Sequence, residues 1–141
     1  MTSSTADLDG VLAAVPLFAG LSRRHRSTLL KDARVVQHTA GNQVAKEGEG
    51  ALAMHVLLEG TGKVSVGGEE VRTLSSGDWF GEISLIDGKP RSATVTAGEG
   101  LSTLAVSHAS FADLVEDDPT VARALLVALC ARVRDAESRA R

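Results

Sequence analysis

Apolar residues recur along this chain with two different periods, and the change of period divides it into three parts. Over residues 22–33, Leu29, Leu30 and Ala33 fall at helical spacing behind Ser22, whose hydroxyl can cap the first turn. Ahead of that helix, Val15-Pro16-Leu17-Phe18-Ala19-Gly20-Leu21 predicts a tight apolar turn packed against the rest of the protein. From Val35 to about Ser107 the period shortens. Strands are expected at Val44, Val56-Leu57-Leu58, Val64 to Val66, Val71 to Leu74, Thr94-Val95-Thr96 and Leu101 to Val106, with glycine-rich breaks between them. Gly67-Gly68 predicts a hairpin, because both residues can take positive φ in a primed turn. Short strands broken this often indicate a barrel or jelly roll rather than a parallel sheet. After Ser107 the helical period returns. A short helix is expected from Phe111 to Glu116, ending at Asp117-Asp118. Pro119 then suits the first turn of a second helix capped by Asp118. Val121, Leu125, Leu129, Val133 and Ala136, broadened by Leu126 and Cys130, make that helix amphipathic over about twenty residues, roughly 30 Å.

Composition narrows the functional classes. The 141 residues suit a single domain over 1–141 with a real core: helices over 1–34, strands over 35–107 and helices over 108–141. Fifteen basic against 18 acidic residues, a net charge of −3, argue against general affinity for nucleic acid or anionic membranes. Three Phe, one Trp and no Tyr leave no stacking platform for single strands. The densest basic spot, Arg23-Arg24-His25-Arg26, reads as a solvated helix face, with partner docking as the alternative.

A single cysteine, Cys130, excludes an internal disulfide framework and suits a reducing compartment; on the apolar side of the last helix it is expected to be buried and inert. Val11 to Val15 follows Asp7 and Asp9 instead of a positive segment, so no secretory signal is read, and the Ala124–Ala131 run is too short to span a bilayer. A cytoplasmic protein is expected. His25, His38, His55 and His108 show no metal-ligand spacing. Gly60-Thr61-Gly62-Lys63 lacks the form of a phosphate-binding Walker loop, and no nucleophilic triad is visible. These features point to a binder, not an enzyme.

The chemistry concentrates in one stretch. Phe80-Gly81-Glu82-Ile83-Ser84-Leu85 can form a single helical turn whose free amides attract an anion. Gly81 lets a ligand approach the backbone closely. Asp87-Gly88-Lys89-Pro90 turns the chain back, bringing Arg91 towards Glu82. Arg91 can fork onto two phosphate oxygens and Ser92 can add a hydroxyl donor. Glu82, so near a phosphate, needs hydrogen bonds to accept, and a ribose 2′-hydroxyl is a natural donor. Trp79 and Phe80 read as core or rim residues in preference to base-stacking groups.

Gly81-Glu82-Ile83-Ser84-Leu85 followed by Pro90-Arg91-Ser92-Ala93-Thr94-Val95 resembles the phosphate-binding cassette, here residues 80–95, of the cyclic nucleotide-binding domain family. That family includes kinase regulatory subunits, nucleotide-gated channels and catabolite-activator-type transcription factors. The resemblance implies an α+β fold: an eight-stranded antiparallel β-roll, jelly-roll-like, flanked by N-terminal helices and a C-terminal helix pair. It implies that Glu82 holds the ribose 2′-hydroxyl and Arg91 the cyclic phosphate, with Phe80, Gly81, Ile83, Ser84, Ser92 and Ala93 lining the pocket. Ser92, where guanine binders of the family often carry Thr, implies cAMP as ligand, with cGMP as the other possibility. The family's final helix caps the base, and Arg132 and Arg134 are both candidates for that lid.

No DNA-binding motif is read in the chain. Two functions follow. One is a cyclic nucleotide sensor that signals to a separate protein effector through its C-terminal helix or the Arg23–Arg26 face. The other is an interaction module of the same fold that acts without nucleotide.

Overall fold

Side-chain alternation in the strands builds two cores back to back. The computed structural model describes residues 5–140. Helices α1 (Thr5–Ala13), α2 (Pro16–Ala19) and α3 (Arg23–Lys31) come first. The roll follows: β1 (Arg34–Gln37), β2 (Gln43–Ala45), β3 (Ala53–Glu59), β4 (Gly62–Val66), β5 (Glu69–Leu74) and β6 (Trp79–Phe80). Helix α4 (Glu82–Asp87) then interrupts the strands before β7 (Thr94–Ala97) and β8 (Ser102–Ser107), and α5 (His108–Asp117) and α6 (Pro119–Arg139) end the described chain. Two four-stranded antiparallel sheets, ordered β1-β8-β3-β6 and β2-β7-β4-β5, form the expected eight-stranded roll. Gly67 and Gly68 both take positive φ, 59° and 84°, in the β4–β5 turn.

Successive residues of a strand face opposite sides. Met54 and Val56 of β3 and Leu104 and Val106 of β8 therefore pack outward, beneath Leu12, Val15, Phe18 and Leu29 of the first helices and Phe111, Val121 and Leu125 of the last. Phe18 and Phe111 meet edge to face with ring centroids 6.0 Å apart. The alternate residues face into the roll, where Leu57 joins Val64, Leu74, Phe80, Val95 and Leu101.

Local signals set the helix ends. Ser22 Oγ accepts from His25 N at 3.2 Å, Ser107 Oγ from Ser110 N at 3.3 Å and Asp118 Oδ1 from Thr120 N at 2.9 Å. The Ser107 cap starts α5 at His108, three residues ahead of the expected Phe111. Strands β1 and β6 were not among the expected segments. β1 carries only Val35 and Val36 between Arg34 and Gln37 at a sheet edge, and β6 is two residues long.

Three expectations about the helices are corrected. Cys130 is exposed, not buried. The apolar stripe of α6 is covered only near its root: Val121 and Leu125 are buried, whereas Leu126 and Val133 are 63% and 55% exposed and every residue from Cys130 to Arg139 faces solvent. The 21-residue helix, about 31 Å long, outruns the α2 and α5 surfaces that cover its start. The basic cluster is solvated only at Arg23 and Arg24. Arg26 turns inward, donating to Asp9 Oδ1 at 2.9 Å and to the Leu21 carbonyl at 2.6 Å, while His25 Nε2 meets Asp118 Oδ2 at 2.7 Å. α3 is thus tied to α1 and to the root of α6. Among the described residues no helix is long and apolar enough to cross a membrane.

Candidate functional site

Strand β6 ends at Phe80, and Gly81, with a φ of 89°, turns the chain abruptly into α4. At the other end Gly88 (φ 69°) closes the helix by donating to the Ser84 carbonyl at 3.0 Å, and Lys89 N donates to Asp87 Oδ1 at 2.8 Å. The chain then returns along the β2–β3 loop. Arg91 N donates to the Glu49 carbonyl at 2.8 Å and Gly48 N to the Arg91 carbonyl at 2.9 Å. A loop some forty residues earlier therefore holds the backbone of Arg91 from both sides.

The Arg91 side chain is only 8% exposed. Its Nη2 donates to the Ala53 carbonyl at 2.5 Å, and the guanidinium carbon lies 5.9 Å from the centre of the Phe80 ring. Nη1 is buried with no hydrogen-bond partner. Burial pulls this guanidinium below its ordinary pKa range, and the Glu82 charge opposes that pull. Gly81 makes the arrangement sterically possible: a Cβ there would overlap Arg91 Nη1, and its positive φ already disfavours any side chain.

Glu82 is also 8% exposed, and its Oε1 accepts from Arg132 Nη1 at 2.9 Å, joining α4 to α6. Both side chains face one cavity of about 170 Å³. Phe80, Gly81, Glu82, Ile83, Ser84, Arg91, Ser92, Ala93 and Arg132 all line it. Arg134, exposed on α6, is not among the lining residues. Phe80 is both a core residue and a wall: buried in the roll interior, it stacks on the His55 ring at 5.0 Å between centroids.

Several residues went unread in the sequence. Arg72 of β5 lines the cavity together with Ala45, Val64 and Val95. Arg72 lies two residues before buried Leu74, so strand alternation puts both on the inward face. Behind the cavity, the dispersed histidines come together. His38 Nε2 and His55 Nδ1 both contact the Thr103 hydroxyl, at 2.8 and 2.9 Å. His55 is pushed down to about 3 by burial, then by the charge of Arg91. Among the described residues no group of His, Cys, Asp and Glu is arranged to hold a metal ion.

Comparison with known proteins agrees with this geometry. The chain is 39% identical to a cGMP-dependent protein kinase of Toxoplasma gondii over 88 residues, 62% of this chain and 9% of the kinase. It is 34% identical to a cAMP-dependent protein kinase regulatory subunit of Yarrowia lipolytica over 79% of this chain and 32% of that protein. The chain thus spans a third or less of these curated relatives. Its fold superimposes on the N-terminal domain of a transcriptional regulator from Streptomyces coelicolor, with a TM-score of 0.78 and 29% identity, covering 91% of this chain and 95% of that domain. The family described as Cyclic nucleotide-binding domain matches residues 35–118, more than half of the chain. On the fold, the cavity and that match together, this chain belongs to the cyclic nucleotide-binding domain family.

Proposed function

We propose that this chain is a cyclic nucleotide sensor whose ligand is cAMP and whose output passes through α6 to a separate protein. One observation carries the reading: a desolvated guanidinium with an unpartnered Nη1 faces a cavity that it shares with a buried carboxylate. A buried charge without its full set of partners is expensive, and a phosphate would supply the missing acceptor. Arg91 then holds the cyclic phosphate, the first amides of α4 and the Ser92 hydroxyl support it, and Glu82 accepts from the ribose 2′-hydroxyl.

Arg132 is the lid arginine in this reading. Its bond to Glu82 ties α6, past its midpoint, to the site, so a ligand hydroxyl that competes for Glu82 alters the hold on α6. A ligand shifts α6 only by the difference in its affinity for the two helix positions. The uncovered Leu126, Val127 and Val133 are the surface offered to the effector. The role is binding, with no bond made or broken. A single cysteine suits the cytoplasm as its compartment.

Arg72 favours a second reading, cGMP. An arginine can donate in a fork to guanine O6 and N7, and adenine offers no such pair of acceptors. Titration calorimetry with cAMP, cGMP and 2′-deoxy-cAMP tests both. Tighter binding of cAMP than of the other two supports the first reading; tighter cGMP, reversed by Arg72→Ala, supports the second. No saturable heat with either cyclic nucleotide at millimolar concentration leaves only an interaction module that acts without nucleotide.

A further inference from the structure

The Arg91 guanidinium has one hydrogen bond among the described residues, from Nη2 to the Ala53 carbonyl. A single bond fixes one corner of the plane and leaves the plane free to turn about it. Room to turn exists, because Arg91 also lines a second cavity, of about 330 Å³, walled by the β2–β3 loop and His55. Nη1 is therefore aimed at a ligand only if something else sets the plane. We propose that His55 is a positioning residue of the ligand site: its ring, held by the Thr103 hydroxyl, backs the Phe80 ring against which the Arg91 guanidinium rests. This rests on the cyclic nucleotide reading and adds to it a support that stands outside the ligand cavity.

Strand β3 sets these groups in order. Its side chains alternate, so Ala53, His55 and Leu57 face into the roll while Met54 and Val56 face the outer core. Ala53 offers its carbonyl to Arg91, and His55, two residues on, stands directly opposite Phe80 of β6. Residues paired in this way across an antiparallel sheet bring their side chains together. The two rings lie within 12° of parallel with centroids 5.0 Å apart, the offset stack that aromatic rings favour. The guanidinium carbon of Arg91 in turn lies 5.9 Å from the centre of Phe80, close enough for the cation to feel the ring face. Phe80 lines the ligand cavity and His55 does not, so His55 acts through its neighbour.

Thr103 of β8 locks the far end of this stack. It is fully buried, and its hydroxyl contacts His55 Nδ1 at 2.9 Å and His38 Nε2 at 2.8 Å. A hydroxyl carries one hydrogen, so of two neutral imidazoles one donates to Thr103 and the other accepts from it. The His55 ring cannot rotate away without leaving a buried polar atom unpaired, which is costly. Burial, and then the charge of Arg91, push His55 down to about 3, so the ring that meets Phe80 is a neutral aromatic and not a second cation. Loosening the lock should therefore weaken the hold on the phosphate and leave the choice of base alone.

Thr103→Val keeps the shape of that side chain and removes its hydroxyl; Thr103→Ser keeps the hydroxyl. Calorimetry of the intact chain should show Thr103→Val binding cAMP and cGMP each about three- to tenfold more weakly, by the same factor, and Thr103→Ser within about twofold of wild type. Histidine ring-proton resonances of the wild-type chain give a readout that needs no variant. Those of His55 should shift when cAMP saturates the site, although His55 does not line it, and they decide alone if Thr103→Val does not fold. The proposal is overturned if Thr103→Val binds as wild type does, if Thr103→Ser loses as much as Thr103→Val, if the loss differs between the two nucleotides, or if the His55 resonances do not move. Absence of wild-type binding to either nucleotide sinks the cyclic nucleotide reading itself, a different failure.

Discussion

Arg91 and Arg132 reach one cavity from different elements. The first comes from the floor, 8% exposed and bonded to a backbone carbonyl; the second comes from α6 with its side chain 43% exposed and bonded to a carboxylate. The floor residue sits on an element fixed at both its amide and its carbonyl, so its guanidinium has little freedom to leave. The lid residue depends on a part-exposed ion pair, and such pairs contribute under about 1 kcal/mol. A ligand can compete for the second contact far more easily than it can rearrange the first. In the proposed reading the Arg91 contact stays and the Arg132 contact is traded for the ligand.

The largest effect should come from the floor. Arg91→Ala is expected to weaken cyclic nucleotide binding by about 2–5 kcal/mol, measured by calorimetry, because it removes the partner of a desolvated phosphate. A loss no larger than that of Arg132→Ala would erase the contrast. Gly81→Ala acts on the same arginine from its other side. The new methyl collides with Nη1 and sits at positive φ, so both affinity and folding stability should fall by about 1–3 kcal/mol. Unchanged melting would show that Arg91 relaxes freely, contrary to a fixed floor.

Glu82→Gln joins the two sides. It should lower affinity by about 1–2 kcal/mol and narrow the preference for cAMP over 2′-deoxy-cAMP. An undiminished preference would separate this carboxylate from the ribose.

Acid tests the floor without mutation. His38, His55 and His108 are all held below their ordinary pKa, chiefly by burial, so the unfolded chain binds protons first. Stability is complete above about pH 6.5 and falls as pH drops towards the folded value near 3 for His55, by roughly 1.4 kcal/mol per unit for one such histidine. Urea melts at pH 7.5, 6 and 5 should show that slope, and His55→Asn should flatten it. Smallest of all, Arg132→Ala should weaken binding by under about 1 kcal/mol, and Arg134→Ala should leave it unchanged. Equal losses from both would detach the lid from the Glu82 contact.

What could be read in advance was what lies close in sequence. Gly81, Glu82, Arg91 and Ser92 fall within a dozen residues, so the turn that joins them is written in Gly88 and Pro90. The same holds for the Ser22 and Asp118 caps and the Gly67-Gly68 turn. Contacts that only folding creates were invisible. Glu82 meets Arg132 across fifty residues, Arg91 is clasped by the Glu49 loop, and Thr103 gathers one histidine from just after β1 and another from β3. Arg72 was within reach, since its register with Leu74 marks it as inward. Cys130 shows the opposite error. Helical spacing tells which side chains share a face, but whether another element arrives to cover that face depends on the rest of the chain.

The uncovered part of α6 has a mechanical consequence. Its first turns are gripped by α2 and α5 and Arg132 is held by the Glu82 bond, while the seven residues from Val133 to Arg139 project as a stiff rod about 10 Å long. A tilt of some ten degrees at the gripped end would swing the tip by roughly 2 Å, so a displacement too small to notice beside the cavity is carried out to Arg139.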